Sequence, residues 1–356
     1  MSNTDITVNS KNKTFTNIER INYYTGYINK LWNIKYDKNT EFSYYDDYNY
    51  YIRSCNEQYG TFFINKNFTE EEYIKLFTEK IEKLDDNHPA KEHFKMIIKY
   101  DLNSYIIPII KLFNSDNYFK EKGFIFCPGD IYFDANIPII SKTRPVDTYN
   151  NFIINLDNSR HWSEPISIVK KHDIPFEMKN NKIMWRGAPN GLIVQELYNR
   201  PNRYTLCKKY STHENPNIDI GFVYDYLELK GRGYLSIEDM LKSKFLISVE
   251  GGDVSTNLKW ILYSNSVAIM PKPTMVSWAM EDMLEPWVHY VPLEKDFNDL
   301  EEKYNWCLNN IDKCKEIASN GKKYIEQFLD EDREKLITNM VLKEYVDRVN
   351  IIKLNE

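Results

Sequence analysis

The stretch from Lys244 to Pro271, KFLISVEGGDVSTNLKWILYSNSVAIMP, constrains the fold more than any other part of the chain. Its apolar run from Phe245 to Val249 has the length of a buried strand and breaks at Glu250, Gly251, Gly252 and Asp253. Ser255, Thr256 and Asn257 then offer N-cap chemistry to an amphipathic helix carrying Leu258, Trp260, Ile261 and Leu262, and Ser266 to Pro271 returns to a strand. Strand, glycine turn, helix and strand form the repeating unit of a parallel sheet with crossover helices. The first-turn amides of such a helix face out of the carboxyl edge of the sheet, where phosphate binds.

The flanking segments extend the pattern. Ser236 and Asp239 predict a capped short helix leading into this strand. His289 to Leu293 reads as a further strand, DLEEKYNWCLNN and KCKEIASNGKKYIEQFL as helices, and Thr274 to Pro286 as helix-like. The tail after Glu331 reads as a final helix with Ile337, Met340, Val341 and Tyr345 on its apolar side.

Upstream, several short apolar runs end in cations. Ile137 to Pro145 is followed through by Lys142 and Arg144, Phe152 to Trp162 by Arg160 and His161, and Lys182 to Pro189 by Arg186 and Gly187. The next segment adds Arg200 and Arg203 before a strand-like run from Asn217 to Tyr226. Repeated cations after strands suggest a cleft for an anion, although any one of them also suits a plain surface position. Gly123 to Asp130, GFIFCPGD, breaks at Pro128 and Gly129 and leaves Asp130 at a strand end. Read from its residues alone, Asp130 is either a turn aspartate or an acid–base group at a sheet edge. Ile106 to Phe113 is apolar enough to be buried. Thr69 and Glu72 form a capping box for a helix with Tyr73, Phe77, Ile81 and Leu84 on one stripe, and a second helical segment runs from about residue 90 to 100. Residues 1–60 are rich in tyrosine and carry no clear period.

At 356 residues the chain exceeds the size of one core and predicts two domains. A net charge of -6 disfavours a general nucleic-acid grip, which needs a basic face. The amino terminus lacks a signal-peptide pattern and no apolar run is long enough to span a bilayer, so a cytoplasmic protein without a transmembrane segment is expected. Five cysteines are scattered without a CxxC pair and read as free thiols. Asp330 and Asp332 spell DxD but open a charged helix rather than follow a buried strand, so they read as helix-start acids. A histidine such as His289, entering a strand, is more often structural than catalytic.

The blocks WRGA, KFLISVEGGDVSTNLKW, SNSVAIMPKPT, EPWVHYVPLEKDFNDLEE and EIASNGKKYIEQFL, in this order, closely resemble glycosyltransferase family 90, the capsule-associated-protein type. That group includes protein O-glucosyltransferases, xylosyltransferases and lipopolysaccharide-core glycosyltransferases, the last looking nearer. The resemblance covers about residues 120–330. It implies an α/β fold of GT-B architecture, two Rossmann-like domains facing a cleft, with N-terminal helical decoration and a C-terminal helix. The implied division is an irregular and helical region over residues 1–100 packed on the first domain, an acceptor-side domain over 101–180, a nucleotide-sugar domain over 181–330 and a terminal helix over 331–356.

The resemblance also implies an inverting, metal-independent transfer of glucose, xylose or a related sugar from a UDP-sugar donor to a glycan, glycolipid or glycoprotein acceptor, with no cofactor. Asp130 matches the family's base, Arg186 its arginine of the RG motif and Lys259 its lysine on the helix after the glycine turn. Arg186, Gly187, Arg203, Glu250, Gly251, Gly252, Asp253, Ser255, Thr256, Asn257 and Lys259 are then the expected donor site, with Lys142, Arg144, Arg160 and His161 meeting acceptor or phosphate. The protein O-glucosyltransferase branch has an arginine where this chain has Asn257, so a phosphate contact is either missing or supplied elsewhere, with Arg203 a candidate; Glu250 likewise replaces an arginine of that branch and either addresses the sugar hydroxyls or closes the turn. The alternative is a non-catalytic glycan- or nucleotide-binding protein descended from the same family.

Overall fold

The structure is a computed structural model that describes residues 13–26, 30–36, 62–65, 71, 75, 78–79, 82, 104–105, 107–119, 122–127, 129–132, 137–156 and 159–353; at 35–36, 62–65, 159–160 and 352–353 it describes the backbone alone. The chain divides into two compact units. One comprises Met1–Thr16, Ser159–Thr274 and Ala279–Asp330, and the other Asn17–Asn158, Met275–Trp278 and Glu331–Glu356.

The first unit is built on a five-stranded sheet in which every pairing is parallel. Its strands, in spatial order, are Val291–Leu293, Val267–Pro271, Ser243–Ile247, Asn180–Gly187 and Ile218–Phe222. Numbered along the chain, that order is 2-1-3-4-5, the flavodoxin-like form of a doubly wound sheet. Alternate residues of each strand (Ile183 and Trp185, Ile218 and Ile220, Phe245 and Ile247, Val267 and Ile269, Val291 and Leu293) join one core. Leu206, Cys207 and Tyr210 from the helix Arg203–Tyr210, Leu300, Tyr304 and Cys307 from Leu300–Asn309, and Cys314, Ile317 and Ala318 from Ile311–Glu326 pack into it. The helix Thr256–Tyr263 returns the chain between two adjacent strands and packs on the Val267–Pro271 strand and the helix Ile311–Glu326.

The second unit contains a four-stranded sheet in the order Phe62–Asn65, Gly123–Phe126, Ile139–Ser141, Asn151–Ile153, the first pairing antiparallel and the others parallel. The terminal helix Glu331–Arg348 packs here. Its fully buried Tyr345 accepts a hydrogen bond at the hydroxyl from the Ile125 amide (3.0 Å) and donates to the Pro138 carbonyl (3.1 Å). Arg20 of the helix Asn17–Tyr24 pairs with Glu334 at 2.5 Å.

Several expectations change. The segment predicted as helical from Thr274 is a strand, Met275–Ser277, antiparallel to Thr143–Pro145, followed by a short 3-10 turn at Glu281–Met283. Met280 takes a φ of 53°, which an α-helix cannot contain, and the strand's partner lies far off in sequence, so local spacing misled. Met340 is 41% exposed, off the buried stripe formed by Ile337, Val341 and Tyr345. Arg186 and Gly187 are the last two residues of their strand rather than the residues after it. Val349–Lys353 forms an unforeseen strand, parallel to Trp32–Tyr36. Ile107–Ser115 is a helix whose Ile107, Ile109, Ile110 and Phe113 are buried, as its apolar content predicts. Ser236 accepts from the Asp239 amide as its spacing predicts. The capping box at Thr69 and Glu72, the stripe Tyr73, Phe77, Ile81 and Leu84, the segment 90–100 and most of residues 1–60 lie outside the described residues. Among the described residues no helix is long and apolar enough to cross a membrane.

His289 is structural. It is buried, its Nδ1 accepts from the Glu285 amide at 2.9 Å, and its ring lies 5.2 Å from that of Tyr324. Burial pushes its pKa below the ordinary 6.5, with Glu285 opposing the shift. The unfolded chain therefore takes up a proton that the fold excludes, and stability falls as pH drops through about 6.5, by at most about 1.4 kcal/mol per unit. Urea unfolding at pH 7.5, 6.5 and 5.5 should show this decline in the wild type and a flatter one in His289→Gln, which keeps an acceptor that does not titrate; equal slopes would remove His289 as the cause.

Candidate active site

In a doubly wound sheet the ligand crevice opens where adjacent strands send their chains to opposite sides, at the carboxyl edge. Here that point lies between Asn180–Gly187 and Ser243–Ile247. The first strand delivers Arg186 and Gly187 and then the loop Ala188–Gly191; the second delivers Glu250 to Asp253. The two loops touch. Gly191 has a φ of 75°, and a Cβ there would run into the Gly251–Gly252 peptide, so only glycine allows this approach.

Arg203, in the first turn of the Arg203–Tyr210 helix, joins both loops. Its guanidinium donates to the carbonyls of Ala188 (3.1 Å), Val249 (3.1 Å) and Glu250 (2.9 Å) and to the Asn190 side chain. Arg186 donates to the Asp219 carboxylate at 2.5 Å and to the carbonyls of Asp219 and Trp185, both at 2.9 Å. Its Nε is buried without a hydrogen-bond partner, a polar group left open in the arginine expected to meet an anion. Arg232 shares Asp219 from 3.2 Å.

At the helix start the expected cap chemistry is redirected. Ser255 makes no side-chain cap; its hydroxyl donates to Asn257 Oδ1 at 2.6 Å, as does that of Ser248 at 3.0 Å. Asn257 Nδ2 donates to the Ile247 carbonyl at 3.2 Å, so this side chain ties the helix start to the strand end. Thr256 is exposed and Asp253 buried. Lys259, one turn further, pairs with Glu281 at 3.0 Å, both side chains 3% exposed. Glu250 pairs with Arg200 at 2.9 Å.

In the second unit, Asp130 and Lys142 leave neighbouring parallel strands, Gly123–Phe126 and Ile139–Ser141, at their carboxyl ends. Gly129, with a φ of 80°, makes the turn. The Lys142 ammonium sits 2.8 Å from Asp130 Oδ1 and 5.3 Å from the Tyr105 ring centre, and Asp130 keeps 38% of its side chain exposed. The carboxylate is partly open to solvent at the carboxyl edge of the sheet, the kind of place where acid–base groups stand. Arg144 is buried and donates to the carbonyls of Tyr23 (2.6 Å), Tyr24 (3.4 Å) and Asn151 (3.1 Å), over the Tyr23 ring. His161 lies half-buried in a π-helical turn, Ser159–Ser163, of the first unit, and the Arg160 side chain lies outside the described residues.

The structure thus brings Arg186, Gly187, Arg203 and Glu250 to Asn257 together at one crevice and pairs Asp130 with Lys142. Residues that the sequence did not single out are Gln195, Arg200, Asp219 and Glu281. The first two support the turn and the last two are counter-ions. Arg200 showed in the sequence only as charge, and Glu281 fell in the segment misread as helix. Among the described residues no cluster of three or more His, Cys, Asp or Glu is arranged to hold a metal ion.

The model of the family described as "Glycosyl transferase family 90" matches residues 124–352, more than half of the chain. The chain belongs to glycosyltransferase family 90. It is 30% identical over 221 residues to O-glucosyltransferase LpsA of Dichelobacter nodosus, covering 61% of this chain and 64% of that one. Protein O-glucosyltransferase 3 of Homo sapiens is 29% identical over 220 residues, 60% of this chain and 42% of its own. An uncharacterized protein, 035R, of Invertebrate iridescent virus 3 shares 30% identity over 129 residues, 34% of this chain and 12% of its own. The chain therefore spans less than two thirds of these relatives' own length.

Removing one member of a buried pair leaves the other charge uncompensated, at a cost of about 3–5 kcal/mol. Lys259→Met should lose stability on that scale in urea unfolding, and Lys259→Met with Glu281→Leu should recover most of it. A single variant as stable as the wild type would show that the pair carries no structural weight.

Proposed function

We propose that this chain is an inverting, metal-independent glycosyltransferase that moves a hexose or pentose, glucose before xylose, from a UDP-sugar to a hydroxyl of a glycan, glycolipid or protein. The observation that carries the reading is the crevice at the strand-order reversal, where a glycine-tight loop pair and Arg203 meet beside a helix start, with Arg186 at the end of the adjoining strand. Family membership supports glycosyl transfer, and the relatives' names favour glucose.

In this reading the diphosphate of the donor lies against Arg186, Gly187, the turn Glu250–Asp253 and the helix start Ser255–Asn257, with Arg203 holding both loops. Lys259 adds charge from inside the helix, balanced by Glu281. The unit carrying Asp130 takes the acceptor. Asp130 accepts the proton of the acceptor hydroxyl, the acceptor oxygen bonds to the anomeric carbon from the face opposite the nucleotide, and the bond from that carbon to the diphosphate oxygen breaks. The electron pair leaves on the diphosphate, whose charge the amides and cations of the turn stabilise. Lys142 orients the base.

Asp130→Asn should lower turnover of UDP-glucose by about 10²- to 10⁴-fold, the usual contribution of a general base, with UDP affinity by calorimetry near wild type. Unchanged turnover would remove Asp130 from the chemistry. EDTA should leave the rate unaltered; activity lost to the chelator and restored by manganese would overturn the metal-free step. A thermal-shift panel of uridine- and guanosine-diphosphate sugars should single out UDP-glucose, and stabilisation by guanosine forms alone would reassign the donor.

A further inference from the structure

A turn that presents its amides to an anion must have its carbonyls met from behind. Here four successive carbonyls are met by two buried side chains of one segment. Gln195, fully buried, donates through Nε2 to the carbonyl of Glu250 and, at 3.3 Å, to that of Gly251. Arg200, 8% exposed, donates from Nη1 to the Gly252 carbonyl at 2.9 Å and from Nη2 to the Asp253 carbonyl at 3.1 Å. The remaining donors of Arg200 reach the Glu250 carboxylate (2.9 Å from Nη2) and the Thr274 hydroxyl (2.9 Å from Nε). Glu250 also accepts from the Thr274 amide at 2.8 Å and from the Thr274 hydroxyl.

We infer that Gln195 and Arg200 form a carbonyl clamp that positions the donor turn, and that Glu250 serves as the clamp's counter-ion rather than as a contact for sugar hydroxyls. This rests on the donor reading above. In a planar trans peptide the carbonyl and the following N–H point in opposite directions. Drawing the carbonyls of Gly251, Gly252 and Asp253 toward Gln195 and Arg200 therefore turns the N–H groups of Gly252, Asp253 and Val254 away from them. The geometry needs a planar fork: Arg200 reaches two carbonyls, a carboxylate and a hydroxyl at once, which a lysine ammonium cannot do. A buried guanidinium in turn requires a carboxylate, and Glu250 supplies it from the turn that Arg200 holds. Neither residue touches the reacting atoms; both are positioning residues.

The test uses the full chain, with Arg200→Lys and Gln195→Met as separate variants and UDP as the probe. Hydrogen exchange without ligand should quicken in the peptide spanning 248–258 in both variants. UDP affinity by calorimetry should fall by about tenfold, the scale of one net hydrogen bond, while turnover at saturating donor stays within about threefold. If both variants exchange and bind UDP as the wild type does, the clamp is overturned; a loss of turnover at unchanged UDP affinity overturns it as well. Should the wild type itself fail to bind UDP, the donor reading falls, and the ligand-free exchange decides alone: faster exchange confined to the turn upholds the clamp, and unchanged exchange rejects it.

Discussion

The site depends on one backbone approach, that of Gly191 to the Gly251–Gly252 peptide. The approach exists because the strands Asn180–Gly187 and Ser243–Ile247 are neighbours in the sheet although the strand Ile218–Phe222 lies between them in the chain. Where the strand order reverses, their outgoing loops have no helix between them and meet directly. Any side chain at Gly191 would part the loops and withdraw both Arg203 and Gln195 from the carbonyls they hold. The strand order thus sets where the two loops meet, and the glycine sets how tightly they close.

The cations of this unit are less available than their number suggests. Arg186 has Asp219, Arg200 has Glu250 and Lys259 has Glu281. Buried pairs of this kind contribute little net stability, because desolvation offsets most of the attraction. They fix geometry instead. On the proposed donor reading, a diphosphate at the turn meets oriented amides and partly neutralised arginines rather than a bare positive pocket, which accords with a chain whose net charge is -6. Donors held in place before the ligand arrives need little rearrangement as charge develops on the leaving group.

The strands, the glycine turn and its helix were legible because each follows from short-range chemistry: apolar runs of strand length, glycines where the backbone must turn, caps before amphipathic stretches. Asp130 was legible as a strand-end residue, but its companion Lys142 was placed only by the pairing of two parallel strands. The segment after Thr274 was not legible. Its strand Met275–Ser277 is specified by Thr143–Pro145, more than a hundred residues earlier, and a period seen locally carries no record of such a partner. The same limit hid Gln195 and the contacts of Arg200. Their work is to meet carbonyls, and carbonyls leave no mark in a sequence.

Asn257 shows why a motif comparison and a geometric one answer different questions. Set beside a branch that carries arginine at this position, the asparagine reads as one cation fewer for the phosphate. In the fold its amide joins the Ile247 carbonyl to the hydroxyls of Ser248 and Ser255, a junction of strand end, turn and helix start that a guanidinium could not reproduce, having donors and no acceptor. The two serine hydroxyls need an acceptor, and Oδ1 provides it. The asparagine therefore belongs with the serines as one unit. Exchanging it alone for arginine would leave both hydroxyls without their acceptor and would displace the helix start whose amides the same arginine was expected to assist.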